Sequence, residues 1–197
     1  WDFGYNSFRV DAGDHVKWGE QNVIAVHVNT NKWGSRWYPG AGIYRKVGMT
    51  VTGPVHLGHW GIQVLAAPSE TGPAVATIKT AVENHLNRAA EITIQHEIID
   101  PSGASAATGQ QSVHIRAGQG VTGELKLDVA DVLLWDIDHP HLYTVHTTVL
   151  HDGLVVDSQD TRIGFRTFEF TADDGFHLNG RRVQLYGVNN HHDLGPL

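Results

Sequence analysis

The 197-residue sequence contains no cysteine. That excludes disulfide cross-links and thiolate zinc centres, and it leaves the redox compartment open. The chain is also poor in basic residues, with 14 Lys and Arg against 21 Asp and Glu and a formal net charge of −7. This balance argues against a nucleic-acid partner or an anionic membrane surface. No apolar run reaches the length of a membrane span, and no signal peptide is evident. Trp1 already stands in what reads as structured sequence, so both ends read as cut from a longer protein and the location stays open. The 14 histidines are scattered without repeated metal-ligand spacing, so neither a metal nor another cofactor is expected. What the chain does have is 41% hydrophobic residues, 22 Gly and 7 Pro. That suffices for one large or two small domains with a packed core.

The most informative stretch lies at residues 181–197. Val183, Leu185 and Val188, with Tyr186 and Gly187 among them, form a short, largely apolar run. Such a run suits a strand buried on both faces. It is followed at once by Asn189, Asn190, His191, His192 and Asp193. A buried strand that ends in amide, imidazole and carboxylate groups is how a barrel enzyme equips its carboxyl face. The plainer alternative is a polar loop whose Asn and Asp shape turns.

Earlier in the chain the dominant pattern is β. Phe8 and Val10 can share one strand face, and Asn22–Val28 is rich in β-branched residues, so this pair reads as part of an antiparallel sandwich. Next comes a loop carrying Trp33, Arg36, Trp37 and Tyr38 among Gly34, Pro39, Gly40 and Gly42. Flat rings beside a guanidinium suit a sugar, whose C–H face packs on a ring while its hydroxyls seek polar partners. Equally, these rings can plug the end of a sandwich while Arg36 and Arg45 make salt bridges; for Ile43, Tyr44 and Arg45, which lead into a strand at Val47–Val51, the structural reading is preferred.

From about Pro54 to Arg166, period-two alternation recurs. It runs through Ile62–Leu65, Ala76–Val82, Ile92–Ile98, Val113–Ile115, Leu125–Val129, Tyr143–Leu150 and Leu154–Ser158. Strands at about ten-residue spacing indicate an immunoglobulin-like sandwich. Ile78, Val82, Ile94, Leu127, Val145 and Val149 are its expected core. Asp152-Gly153 and Asn179-Gly180 both favour tight hairpin turns. His139 and His141 lie two apart with no third ligand evident, and they read as turn residues.

Several of these runs resemble family two of the glycoside hydrolases, which includes β-galactosidases, β-glucuronidases and β-mannosidases. The resemblance is carried by Gly4-Tyr5-x-Ser7-Phe8, Gly19–Val28, Ser35–Arg45, Leu134-Trp135…Pro140…Leu142-Tyr143, Gly164-Phe165-Arg166 and Leu178-Asn179-Gly180. It covers essentially the whole chain in the family's own order. It implies a mainly β chain. Residues 1–53 would be the closing part of a jelly-roll sugar-binding domain, 54–166 an immunoglobulin-like sandwich, and 167–197 the first strand of a truncated catalytic (β/α)8 barrel.

The implied function is that of a retaining β-glycosidase, most like a β-galactosidase. Where glucuronidases show His-Glu-Asp, this sequence has His191-His192-Asp193, which weakens a glucuronidase assignment. A retaining glycosidase needs two carboxyl groups flanking the scissile bond. The family takes both from glutamates on later barrel strands, and none of the glutamates here matches that context. The resemblance instead makes His191 and Asp193 substrate-binding residues, with Asn190, His192, Arg36 and Trp37 as further candidates. It implies a carbohydrate substrate and leaves a homo-oligomer open for the full-length enzyme. The competing class is a non-catalytic carbohydrate-binding or adhesion module built of β-sandwiches.

Overall fold

The computed structural model describes residues 6–29 and 42–190. The chain divides into two units, Gly48–Gly187, and Trp1–Val47 together with Val188–Leu197.

The first unit holds all ten strands found among the described residues. They are β1 (Val55–Ala67), β2 (Ala74–Asn84), β3 (Ala90–Ile99), β4 (Ser105–Ile115), β5 (Gln119–Val129), β6 (Tyr143–His151), β7 (Leu154–Ile163), β8 (Phe168–Thr171), β9 (Gly175–Leu178) and β10 (Arg181–Arg182). Seven of them form an antiparallel sandwich of two sheets, β1-β2-β5 and β4-β3-β6-β7. The remaining three make a small sheet, β10-β9-β8.

Alternation builds the sandwich. Along β2, β3 and β6 every second residue is buried, so each strand turns one apolar row inward and leaves the other row partly wet. All six expected core residues are buried. They fall into two apolar clusters, one around Ile78, Ile98, Val145 and Phe165 and the other around Val82, Ile92, Ile94 and Val149.

Between the clusters the core is polar. Thr80 on β2, His96 on β3 and Thr147 on β6 occupy inward positions at one level of the sandwich, and all three are buried. The His96 ring lies between the two hydroxyls, with Nε2 3.3 Å from Thr80 Oγ1 and Nδ1 3.0 Å from Thr147 Oγ1. A neutral imidazole has one N–H to donate and one lone pair to accept, and each threonine hydroxyl can take either role, so both ring nitrogens are satisfied. Thr80 belongs to one sheet and Thr147 to the other, so the ring ties the two together. Thr80 and His96 share the inward parity of the Ala76–Val82 and Ile92–Ile98 alternations, whereas their mutual bonding comes from the pairing of distant strands.

Both expected hairpins form. Asp152 and Gly153 join β6 to β7 with φ of 52° and 75°, and Asn179 and Gly180 join β9 to β10 with φ of 50° and 73°. Two consecutive positive φ values match the right-handed twist of the flanking strands, and the Asp-Gly and Asn-Gly pairs tolerate them.

Four expected strands do not form, the first of them the stretch through Phe8 and Val10, which lies outside any strand. Asn22–Val28 belongs to no strand, and Val23 and Ile24 are 85% and 82% exposed. The residue types favour extension, but a strand persists only where a neighbour takes up its N–H and C=O groups. No strand among the described residues lies beside it. The same holds for Val183–Val188. Val183 N donates to Phe176 O at 2.8 Å, after which Leu185, Tyr186 and Val188 are exposed and unpaired in any ladder. A first barrel strand needs partners on both edges, and the described residues supply none. Val47–Val51 is likewise outside any strand. In the second unit the described residues contain one short 3-10 turn, Gly13–His15, and Arg45 lies 5.3 Å over the Tyr44 ring and 3.5 Å from Ser7 Oγ.

Candidate functional site

Three sequence-distant motifs assemble into a platform at one end of the sandwich, upstream in sequence of the candidate polar segment at residues 189–193. Leu134 forms a parallel bridge with Phe165, and Trp135 N donates to Phe165 O at 2.8 Å. Phe165 is fully buried and meets Tyr143 edge-on at 5.0 Å. The Tyr143 hydroxyl accepts from Leu133 N at 2.9 Å. The backbone at Gly164 passes so close to Trp135 that a Cβ there would lie 2.8 Å from the Trp135 Cβ, so glycine is required for this approach. The Arg166 guanidinium sits 5.0 Å from the centroid of the Trp135 ring, a cation–π contact.

Asn179 fastens the β8–β10 sheet to this platform. Its backbone N–H donates to Thr167 O at 2.9 Å, its Oδ1 accepts from Thr167 N at 2.9 Å, and its Nδ2 donates to Trp135 O at 3.0 Å. The sequence reads Asn179 as a turn residue. Its side chain does more, and nothing in the Asn-Gly signal discloses the partner 44 residues away. Exposed ion pairs, Arg181 to Asp138 and Arg182 to Asp174, each at 3.0 Å, add little stability but orient the hairpin.

The loop beneath is held by Asp136. Its Oδ1 accepts from His139 N at 2.6 Å and Asp138 N at 2.8 Å. The bond from the His139 N–H, with help from that of Asp138 and the nearby charges of His139 and Arg181, lowers the Asp136 carboxyl below its usual range. His139 and His141 are therefore turn residues, their rings stacked at 6.2 Å.

Of the predicted site residues, Asn190 is described and is exposed outside any strand. Arg36, Trp37, His191, His192 and Asp193 lie outside the described residues.

Comparison with known proteins bears on this arrangement. The model for glycosyl hydrolases family 2 matches residues 55–166. A beta-galactosidase of Bacteroides ovatus, BoGH2A, is 40% identical over 196 residues, covering 99% of this chain and 23% of that protein. A beta-glucuronidase of Formosa agariphila is 29% identical over 205 residues, covering 93% of this chain and 21% of that protein. The chain thus spans less than a quarter of these relatives' length. Among solved structures, a glycosyl hydrolase family 2 member from Bacteroides cellulosilyticus superposes with a TM-score of 0.85 at 32% identity, over 97% of this chain and 26% of that one.

Proposed function

The chain belongs to family 2 of the glycosyl hydrolases, and on that premise we propose that it serves a retaining β-glycosidase hydrolysing terminal β-galactosides. Assembly of the three motifs around Asn179 carries the reading, because it builds a platform at the end of the sandwich from which the chain runs on in sequence toward residues 189–193. A non-catalytic sugar-binding module would have no use for an apolar run with a polar tip directly after such a platform. The galactoside preference is supported by the 40% identity to a protein named beta-galactosidase and by His192 standing where glucuronidases carry Glu. Relatives named beta-glucuronidase at 29% and 28% identity make glucuronides the second substrate class to test.

In this reading the two catalytic carboxyl groups come from a barrel beyond these residues. His191 and Asp193 hydrogen-bond hydroxyls of the sugar being cleaved, with Asn190 and His192 alongside, and Arg36 and Trp37 line the mouth. Such bonds accelerate the reaction only insofar as they tighten while the ring flattens toward its oxocarbenium-like transition state.

The test uses the full-length protein containing this chain, assayed on chromogenic β-galactoside and β-glucuronide. Turnover on the galactoside is expected. His191→Ala and Asp193→Ala are each expected to lower kcat roughly ten- to a hundred-fold, the worth of one hydrogen bond to a charged group at about 1.5–3 kcal/mol. His192→Ala should cost much less. Preferential hydrolysis of the glucuronide would overturn the substrate class. Reduced melting temperature with intact kinetics would make residues 191–193 turn-formers.

A further inference from the structure

We propose that His56, Glu83 and His85 form a binding site for a divalent transition-metal ion, Zn2+ being the best match, at the end of the sandwich where the chain enters β1 and leaves β2. The three side chains come together by sheet register. His56 and Glu83 are direct partners across the β1–β2 ladder, and His85 lies two residues beyond Glu83, so the pleat turns all three to one face. That face is the outer one, since the neighbouring Val55, Leu57 and Val82 point into the core. Twenty-six residues separate His56 from Glu83, which is why no spacing motif shows in the sequence.

One donor atom from each residue lies within 4.8 Å of the others. Glu83 Oε2 is 3.0 Å from His85 Nε2 and 3.7 Å from His56 Nε2. Ligands held tetrahedrally at about 2.1 Å from zinc stand roughly 3.4 Å apart, so these separations bracket the required value. The His56 and His85 rings are stacked, with centroids at 5.2 Å and 14° between planes. Convergence on one ion therefore requires a ring to tilt, and His85, with 57% of its side chain exposed, has the space.

The surroundings are those of a metal site. The other nitrogen of His56, Nδ1, is 3.1 Å from Gly53 O. Donation of that N–H to a carbonyl fixes the tautomer that leaves the Nε2 lone pair facing Glu83, the usual support of a metal-ligating histidine. Asn84, between the other two ligands, is buried and immobilised. Its Nδ2 donates to the carbonyls of Arg88, Ile115 and Arg116, and its Oδ1 accepts from Leu86 N at 3.0 Å. His85 N donates to Pro54 O at 2.7 Å. The backbone holding the ligands is therefore rigid before any ion arrives. Two imidazoles and one carboxylate favour zinc and its neighbours over magnesium or calcium, which prefer oxygen alone. Side-chain exposure rises from 10% at His56 to 34% at Glu83 and 57% at His85, so an ion can enter from solvent and keep water on its open side. Its effect is a clip that fastens Gly53–Leu57 to the end of β2.

The test is calorimetric titration of the 197-residue chain with Zn2+, with the melting temperature measured beside it. One equivalent is expected to bind with a rise in melting temperature. His85→Ala and Glu83→Gln are each expected to weaken that binding at least about tenfold, since even the supporting residues of such sites are worth that much. A His139→Ala, His141→Ala double variant should leave it unchanged. The inference is overturned if the chain takes up no single equivalent. It is equally overturned if His85→Ala and Glu83→Gln, folded by circular dichroism, bind as tightly as the parent. Loss of binding in the double variant instead would assign the ion to the loop at residues 136–141.

Discussion

Replacing Phe165 by alanine is expected to destabilise the sandwich by about 3–5 kcal/mol, the cost of emptying a fully buried phenylalanine site. Phe165 is 0% exposed and belongs to the cluster formed with Ile78, Ile98 and Val145. The upper part of that range applies where the surroundings cannot collapse into the void. Here they are pinned, because Phe165 O accepts from Trp135 N, Leu134 bridges to the same residue, and Tyr143 is held through its hydroxyl. Leu65→Ala is the control, a side chain on the same sandwich that is 69% exposed and should cost little. Urea unfolding measures both, with a lowered midpoint and an unchanged slope expected for Phe165→Ala. A loss below about 1 kcal/mol would mean that the junction relaxes around the void.

The second large effect is a dependence on pH carried by His96. Burial lowers its pKa from 6.5 to about 4, because charging the ring would place an ion in the core between two hydroxyls. The unfolded chain therefore binds this proton before the folded chain does. Above pH 6.5 neither state is protonated and the full stability is present. Between pH 6.5 and 4 the unfolded state holds more protons, so stability falls as pH falls, and below 4 the loss is complete. At about 1.4 kcal/mol per pH unit the loss is on the order of 3 kcal/mol. Other groups titrate across the same range, so the quantity to compare is the parent's stability minus that of His96→Gln, from pH 7.5 to 4. The difference should shrink steadily through that window. A difference independent of pH would show that the ring is protonated as readily in the fold as in the unfolded chain.

What the sequence disclosed follows its local periodicity. The rows Ala76–Val82 and Ile92–Ile98 alternate strictly, and the structure buries them as expected. Asp152-Gly153 and Asn179-Gly180 announce their turns because only a few residue pairs accept two positive φ values. What remained hidden depends on which strands pair. The contact of His96 with Thr80 and Thr147 links residues 16 and 51 positions apart. The cluster of His56, Glu83 and His85 exists only through the β1–β2 register. Within β1 the register shifts between Leu57 and Ile62, with Trp60 at a φ of 52° and its ring exposed, and no alternation foretells such a bulge. The strand expectations at Asn22–Val28 and Val183–Val188 erred in the other direction. Their composition suits a strand, but composition says nothing about whether a partner lies alongside. Of the candidate site, the platform around Asn179 was legible only as separate motifs, and its assembly needed the fold.

The central structural claim is that the sandwich from Val55 to Phe165 is the cooperative folded unit and that Leu185–Val188 shares none of its ladder bonds. Amide hydrogen exchange on the 197-residue chain tests this most directly. Slow exchange, approaching the global unfolding limit, is expected at Ile78, Ile94 and Val145, where ladder bonds are buried. Fast exchange is expected at Val23–Val28 and at Leu185–Val188, where no ladder forms. Protection of Leu185–Val188 in the monomeric chain to the level of Ile78 would contradict the account, because that segment would then be part of the folded core.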